Sequence, residues 1–182
     1  MEPNLVVEEK TIKIVRATPR DAYALSVLTK EYFDYAQLDS AKIRARLENG
    51  DYEYWLARDA ESGALAGFID VDFTSVPGLR KEGDAAVLAM PEAPEAALPK
   101  QAKILGLAVL PEFRGRGIAR RLVAKAAERA RARDCIKIFL LVREDNEGAR
   151  GLYEKLDFAL AGALAEKLWN QKILLYAKEL KN

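Results

Sequence analysis

The chain has 182 residues, of which half are hydrophobic, and its 29 basic and 28 acidic side chains leave a net charge of +1. That much apolar material excludes a disordered chain and suits one domain, while a balanced charge removes the simplest argument for bulk binding to nucleic acid or an anionic membrane. A single cysteine, Cys135, and no histidine exclude an internal disulfide, cysteine-clustered zinc, Ser-His-Asp and Cys-His catalysis and histidine-ligated metal.

The first ten residues show neither a basic start nor a long apolar core, and no apolar run approaches the ~20 residues needed to cross a bilayer. A single cytoplasmic domain over residues 1–182 is expected. Residues 11–17 alternate as a short strand. Pro19-Arg20-Asp21 reads as a helix start, followed by apolar positions at helical spacing to Tyr32. A second helix is predicted from Ser40 as N-cap to a stop at Asn49-Gly50. Residues 52–59 and 64–74 form two antiparallel strands joined at Glu61-Ser62-Gly63; in the second, Ile69, Val71 and Phe73 share one face and Asp70, Asp72 and Thr74 the other. Residues 76–99 hold four of the seven prolines and read as a long inserted loop, either a functional flap or a mobile insertion.

Residues 103–110 form a nearly continuous apolar strand, leading through a glycine-rich turn into a helix over about 117–133. Its inward stripe is Ala119, Leu122, Val123, Ala126, Ala127 and Ala130. Residues 136–142 read as a parallel strand buried on both faces, 147–156 as a helix and 172–180 as a last strand. Strand, helix and strand from 103 to 142 make a βαβ unit in an α/β (α+β) fold.

The chemistry concentrates at Arg114-Gly115-Arg116-Gly117-Ile118-Ala119. Glycines let a backbone approach a ligand closely, and the first turn of a helix offers unpaired N–H groups to an anion. Arg114, Arg116 and Arg120 add positive charge there. The result is a pyrophosphate cradle that matches neither the dinucleotide fingerprint nor the P-loop.

The chain resembles the GCN5-related N-acetyltransferase superfamily over residues 13–178. Arg114-Gly115-Arg116-Gly117-Ile118-Ala119 fits that family's Gln/Arg-x-x-Gly-x-Gly/Ala motif. The run Asn146-Glu-Gly-Ala149-Arg-Gly-Leu152-Tyr153-Glu-Lys-Leu-Asp157-Phe158 fits its Asn-x-x-Ala-x-x-Leu-Tyr-x-x-x-Gly-Phe motif, with Asp157 in place of glycine. The resemblance implies a mixed, mostly antiparallel sheet whose central strands splay apart. It also implies acetyl-CoA as co-substrate, no metal, and an amine acceptor, small molecule or peptide, that attacks the thioester directly. Backbone groups at Leu107, Ala108 and Val109 would hold pantetheine, and Gly115, Arg116, Gly117, Ile118, Ala119 and Arg120 with Arg114 the pyrophosphate. Asn146 would bind the CoA arm or cap its helix, and Tyr153 would be the general acid, a phenol with pKa of ~10 that stays protonated at neutral pH.

The general base is open. The family branch that acetylates protein N-termini carries a glutamate where this chain has Leu141. A base-free site costs ~1.4 kcal/mol for an α-amine but ~4.6 kcal/mol for a lysine-like amine at pH 7. Either the acceptor has a low pKa or another carboxylate serves, with Asp70, Asp72, Glu144 and Asp145 as candidates. An N-terminal acetyltransferase and a non-catalytic acyl-CoA-binding module are the alternatives.

Elsewhere, the basic residues Arg120, Arg121, Lys125, Arg129, Arg131 and Arg133 read as a solvated helix face; without interleaved aromatics they do not argue for nucleic acid. Cys135 reads as a buried small hydrophobe. Tyr32, Phe33, Tyr35, Tyr52, Tyr54 and Trp55 read as core, with the turn over 32–37 and Trp169-Asn170 as walls of an acceptor pocket by resemblance.

Overall fold

Alternating and doubly apolar segments can bury their side chains only by sharing one sheet with helices on its faces, and the computed structural model has that form. It describes residues 12–33, 38–74, 79–82, 85–88, 100–164 and 171–180, with backbone alone for 79–82 and 85–88. The first ten residues, Tyr35, Gln37, Trp169 and Asn170 lie outside the described residues.

The elements run β1 (Ile12–Arg16), α1 (Ala22–Tyr32), α2 (Ser40–Glu48), β2 (Tyr52–Asp59), β3 (Leu65–Asp72), β4 (Leu79–Glu82), β5 (Ala85–Leu88), β6 (Gln101–Val109), α3 (Ile118–Arg131), β7 (Lys137–Arg143), α4 (Glu147–Lys155), β8 (Ala159–Ala163) and β9 (Ile173–Glu179). Seven strands form one sheet in the order β1-β2-β3-β6-β7-β9-β8. Among the described residues only β6 and β7 pair in parallel, as the predicted βαβ unit requires.

Two readings change. The N-cap of α2 is Asp39, whose carboxylate accepts from the Lys42 N–H at 2.8 Å, and Ser40 is the first helical residue. Residues 76–99 are not loop throughout, since β4 and β5 pair as a separate two-stranded hairpin.

One core packs α3 and α4 on one face through Ile69, Val71, Ile104, Leu122, Ala126, Ile138 and Leu140. The other face packs α1 and α2 through Leu25, Ile43, Tyr54, Phe68 and Ala108. The basic side of α3 is not simply solvated. Glu53, fully buried in β2, receives both Nε and Nη2 of Arg129 at 2.9 Å, Nη2 of Arg133 at 3.0 Å and the indole N–H of Trp55 at 3.0 Å. Burial alone would raise its carboxyl, but these hydrogen bonds hold it down at about 2. Arg121 reaches the Ile12 carbonyl at 2.7 Å, so α3 is also tied to the edge strand. Cys135 is buried, as expected, which pushes its thiol up.

Candidate functional site

The site begins with a mismatch in pairing length. β6 pairs with β7 only from Gln101↔Lys137 to Ile104↔Leu140. Beyond that point β6 stays with β3 as far as Val109, and β7 stays with β9 as far as Arg143. The two central strands therefore part after Ile104 and Leu140, leaving backbone groups of residues 105–109 facing the gap.

A β-bulge sits at the parting. Asp70 pairs with Gly106 and Val71 with Ile104, so Leu105 is one extra residue on β6. An extra residue reverses the facing of all that follow. Ala102 and Ile104 belong to the α3 core, whereas Ala108, still an even-numbered position, belongs to the α1 core. Leu107 and Val109 pack toward α3.

After β6 the chain turns through Pro111–Phe113 into the arginine and glycine run. Gly115 and Gly117 have φ of 77° and 68°, left-handed conformations that favour glycine, and a Cβ on either would meet nothing within 4 Å. Gly117 is the N-cap of α3 and supplies no side-chain acceptor, so the first turn keeps its N–H groups for a ligand. Arg114 Nε donates to the Val109 carbonyl at 3.1 Å, and Arg116 donates to the Glu112 carbonyl at 3.1 Å while lying over the Phe113 ring. These bonds brace the turn. Ile118 is buried, Ala119 half-buried and Arg120 exposed. An open, uncapped helix start with two left-handed glycines fits a diphosphate.

Across the gap, the Asn146 side-chain oxygen accepts from the Ala149 N–H at 3.0 Å, the capping role. Its Nδ2 donors and the second lone pair of that oxygen are left for a CoA arm. Tyr153, two turns into α4, is 8% exposed and packs edge-on against Phe158 with centroids 5.8 Å apart. α4 ends in a left-handed residue, Asp157 with φ of 63°, at the position where the family motif has glycine. The Phe158 N–H closes back on the Tyr153 carbonyl at 3.0 Å.

The four candidate carboxylates separate. Glu144 pairs with Lys172 at 2.6 Å, and Asp145 receives Arg143 Nε and Nη2 at 3.0 and 2.9 Å, all on a half-exposed turn. Asp72 accepts the N–H and hydroxyl of Thr74. Asp70 is 5% exposed. Its carboxylate lies beside the backbone of Gly106 and faces Arg46 of α2; burial outweighs Arg46 and the neighbouring backbone N–H groups of Asp70 and Gly106 and pushes it up to about 7. Arg46 Nη1 approaches the Tyr54 hydroxyl at 3.4 Å and its guanidinium lies over the Tyr52 ring. Burial, with Asp70 nearby, pushes Tyr54 up to about 12. Gly106 and Arg46 escaped the sequence reading; a lone glycine inside an apolar strand was the available signal for a close approach. Leu141 is half-buried and packs with Phe139 and Leu175 on a third, small cluster.

Among the described residues no helix is long and apolar enough to cross a membrane. The family model for the acetyltransferase (GNAT) family matches residues 19–158. An acetyltransferase of Pectobacterium atrosepticum is 52% identical over 52 residues, which cover 29% of this chain and 37% of that one. An acetyltransferase of Yersinia enterocolitica is 48% identical over an equal share. The match thus spans little more than a third of the length of these curated relatives. Among solved structures, Arabidopsis thaliana NAA60 in complex with acetyl-CoA superposes with a TM-score of 0.72 at 21% identity, covering 94% of this chain and all of that one. Spermidine N-acetyltransferase of Vibrio cholerae in complex with CoA and spermine gives 0.68 at 16% identity, covering 93% and 95%. With the family model matched over most of its length and the splayed mixed sheet in place, the chain belongs to the GNAT acetyltransferase family.

Proposed function

We propose that this protein transfers the acetyl group of acetyl-CoA to a primary amine by direct attack of the amine on the thioester. The observation that carries this reading is the parting of β6 from β7 after Ile104 and Leu140, with an uncapped helix start at the exit of the same strand. Acetyl-CoA supplies an activated acyl group. The backbone of Leu107, Ala108 and Val109 would hold its pantetheine arm, and residues 114–120 its pyrophosphate. The Asn146 amide nitrogen would steady the arm from α4. Tyr153 would donate its phenolic proton to the departing sulfur. Support also comes from the acetyl-CoA bound by the Arabidopsis protein and the CoA and spermine bound by the Vibrio enzyme.

Calorimetric titration with CoA, followed by an acetyl-CoA assay against free N-termini, polyamines and lysine peptides, tests the reading. Tyr153→Phe is expected to retain CoA affinity and lose turnover. Absence of saturation at millimolar CoA defeats it, and CoA binding without transfer to any amine assigns the chain to the non-catalytic alternative.

A further inference from the structure

Resting on that transferase reading, we propose that Asp70 is the general base, taking the proton of the incoming ammonium from the α1 and α2 side of the opening in the sheet. The placement is specific. Asp70 lies opposite Gly106, the first residue past the bulge at Leu105 and two residues beyond the last β6–β7 pair. Gly106 has no side chain, and the carboxylate fills that space: a Cβ there would stand 2.6 Å from Asp70 Oδ1 and 3.0 Å from Phe33 Cε2. Phe33, at the end of α1, meets Phe68 of β3 edge-on at 6.2 Å. The carboxylate therefore sits on the helix-α1 face, beside the β6 backbone that would carry the pantetheine arm, with an aromatic wall next to it.

The other three carboxylates are engaged by Lys172, Arg143 or Thr74 at the positions described. Asp70 is positioned by packing: its Oδ1 occupies the space that Gly106 leaves by having no side chain, and a carboxylate retains acceptor capacity there. The groups that face it are Arg46 from α2, Tyr54 from β2 and Asp72 from its own strand, with Tyr52 behind Arg46 and Lys103 of β6 beside Asp72. Burial outweighs Arg46, and a carboxyl poised near neutrality suits proton abstraction from an amine at pH 7.

The balance is complete with the groups named. The Asp70 carboxylate takes one proton from R–NH3+, leaving R–NH2. The nitrogen lone pair bonds to the acetyl carbon, the carbon–sulfur bond breaks, and its electron pair leaves on sulfur. The second nitrogen-bound proton replaces the one Tyr153 gives to sulfur. Asp70 releases its proton to solvent, so R–NH3+ and acetyl-CoA yield the acetamide, CoA and one proton.

Asp70→Asn keeps the shape of the side chain beside Gly106 and removes the base. Its CoA affinity by calorimetry is expected to stay within threefold of the wild type. Its kcat/KM for a lysine-like amine at pH 7 is expected to fall about 10²–10⁴-fold, with loss of the rising limb near pH 7. Carbon-13 NMR of aspartate-labelled protein without ligand reads the same group directly, as one carboxyl titrating near neutrality that disappears in the variant. A variant with kcat/KM within threefold and an unchanged pH profile overturns the proposal, as does a wild-type spectrum in which every aspartate titrates below pH 5. A wild type that acetylates no amine overturns the transferase reading itself, and the base with it.

Discussion

Asp70 and Gly106 share one volume across the β3–β6 pair, so that adding a single methyl group at Gly106 places it 2.6 Å from Asp70 Oδ1. Real side chains do not approach so closely. Gly106→Ala is expected to cost about 1–3 kcal/mol through forced displacement of Asp70 and Phe33. For a chain of this length that lowers Tm by roughly 2–12 °C. Turnover is expected to fall at least tenfold with CoA affinity retained, because the displaced carboxylate lies across the sheet from the pyrophosphate turn. Thermal unfolding and calorimetry together check this, and an unchanged Tm would show that the carboxylate yields freely.

Acid stability is expected to depend on Glu53. Its carboxyl is held at about 2 in the folded protein against an ordinary value of 4.5. A lowered carboxyl contributes stability that is present above its unfolded value and lost as pH falls through the folded one. The loss therefore falls between pH 4.5 and 2 and amounts to ~3 kcal/mol. Glu53→Gln, which leaves Arg129 and Arg133 without their carboxylate, is expected to be less stable at pH 7 by about 2–4 kcal/mol and to flatten that acid limb. Urea unfolding at a series of pH values measures both.

Asp70 runs with the opposite sign. Its carboxyl is raised above the unfolded value, so its contribution to stability is full below pH 4 and is lost as pH rises through 7. Asp70→Asn is expected to unfold several degrees higher than the wild type at pH 8 and to converge with it at pH 4. A lower Tm at pH 8 would mean that the charged form is stabilised in the fold.

At the far end of α4, Asp157 adopts φ of 63° while 87% of its side chain is exposed, with Lys178 3.3 Å away. Left-handed backbone disfavours a side chain, and an exposed ion pair is worth little. Asp157→Gly is expected to stabilise the protein by about 0.5–1 kcal/mol, read in chemical denaturation. A destabilised variant would show that the Lys178 pair outweighs the backbone term.

The pyrophosphate turn makes a different demand on glycine. A Cβ on Gly117 meets open space, so only its φ of 68° resists substitution. Gly117→Ala is expected to lose about 1 kcal/mol of stability and to weaken CoA at least tenfold in calorimetry, since both the turn and the access to its N–H groups change. Unchanged CoA affinity would remove Gly117 from the binding surface.

Much of this architecture was legible because local periodicity and burial agree. The helical stripe of α3 reappears as buried Leu122, Val123, Ala126, Ala127 and Ala130, and the continuous apolar run of β7 is buried from Ile138 to Leu140. β8 was missed because its sequence, ALAGA, neither alternates nor carries the bulky residues that mark strands. The β4–β5 hairpin lay hidden among prolines and alanines that read as loop. Arg129 and Arg133 read as solvated in the sequence because their partner, Glu53, is 76 and 80 residues distant along the chain. Only pairing across β3 and β6 separates Asp70 from the other three carboxylates; nothing in its own neighbours marks it.

The single surplus residue at Leu105 governs how this chain tolerates changes in length. Removing it would transpose Gly106, Leu107, Ala108 and Val109 between the two sides of the sheet and send Ala108 among the α3 side chains. Lengthening or shortening the connection between β3 and β6, by contrast, leaves that alternation as it is. Insertions and deletions are therefore admitted in the connection that follows Asp72 and ends at residue 100, and refused within the nine positions that follow it.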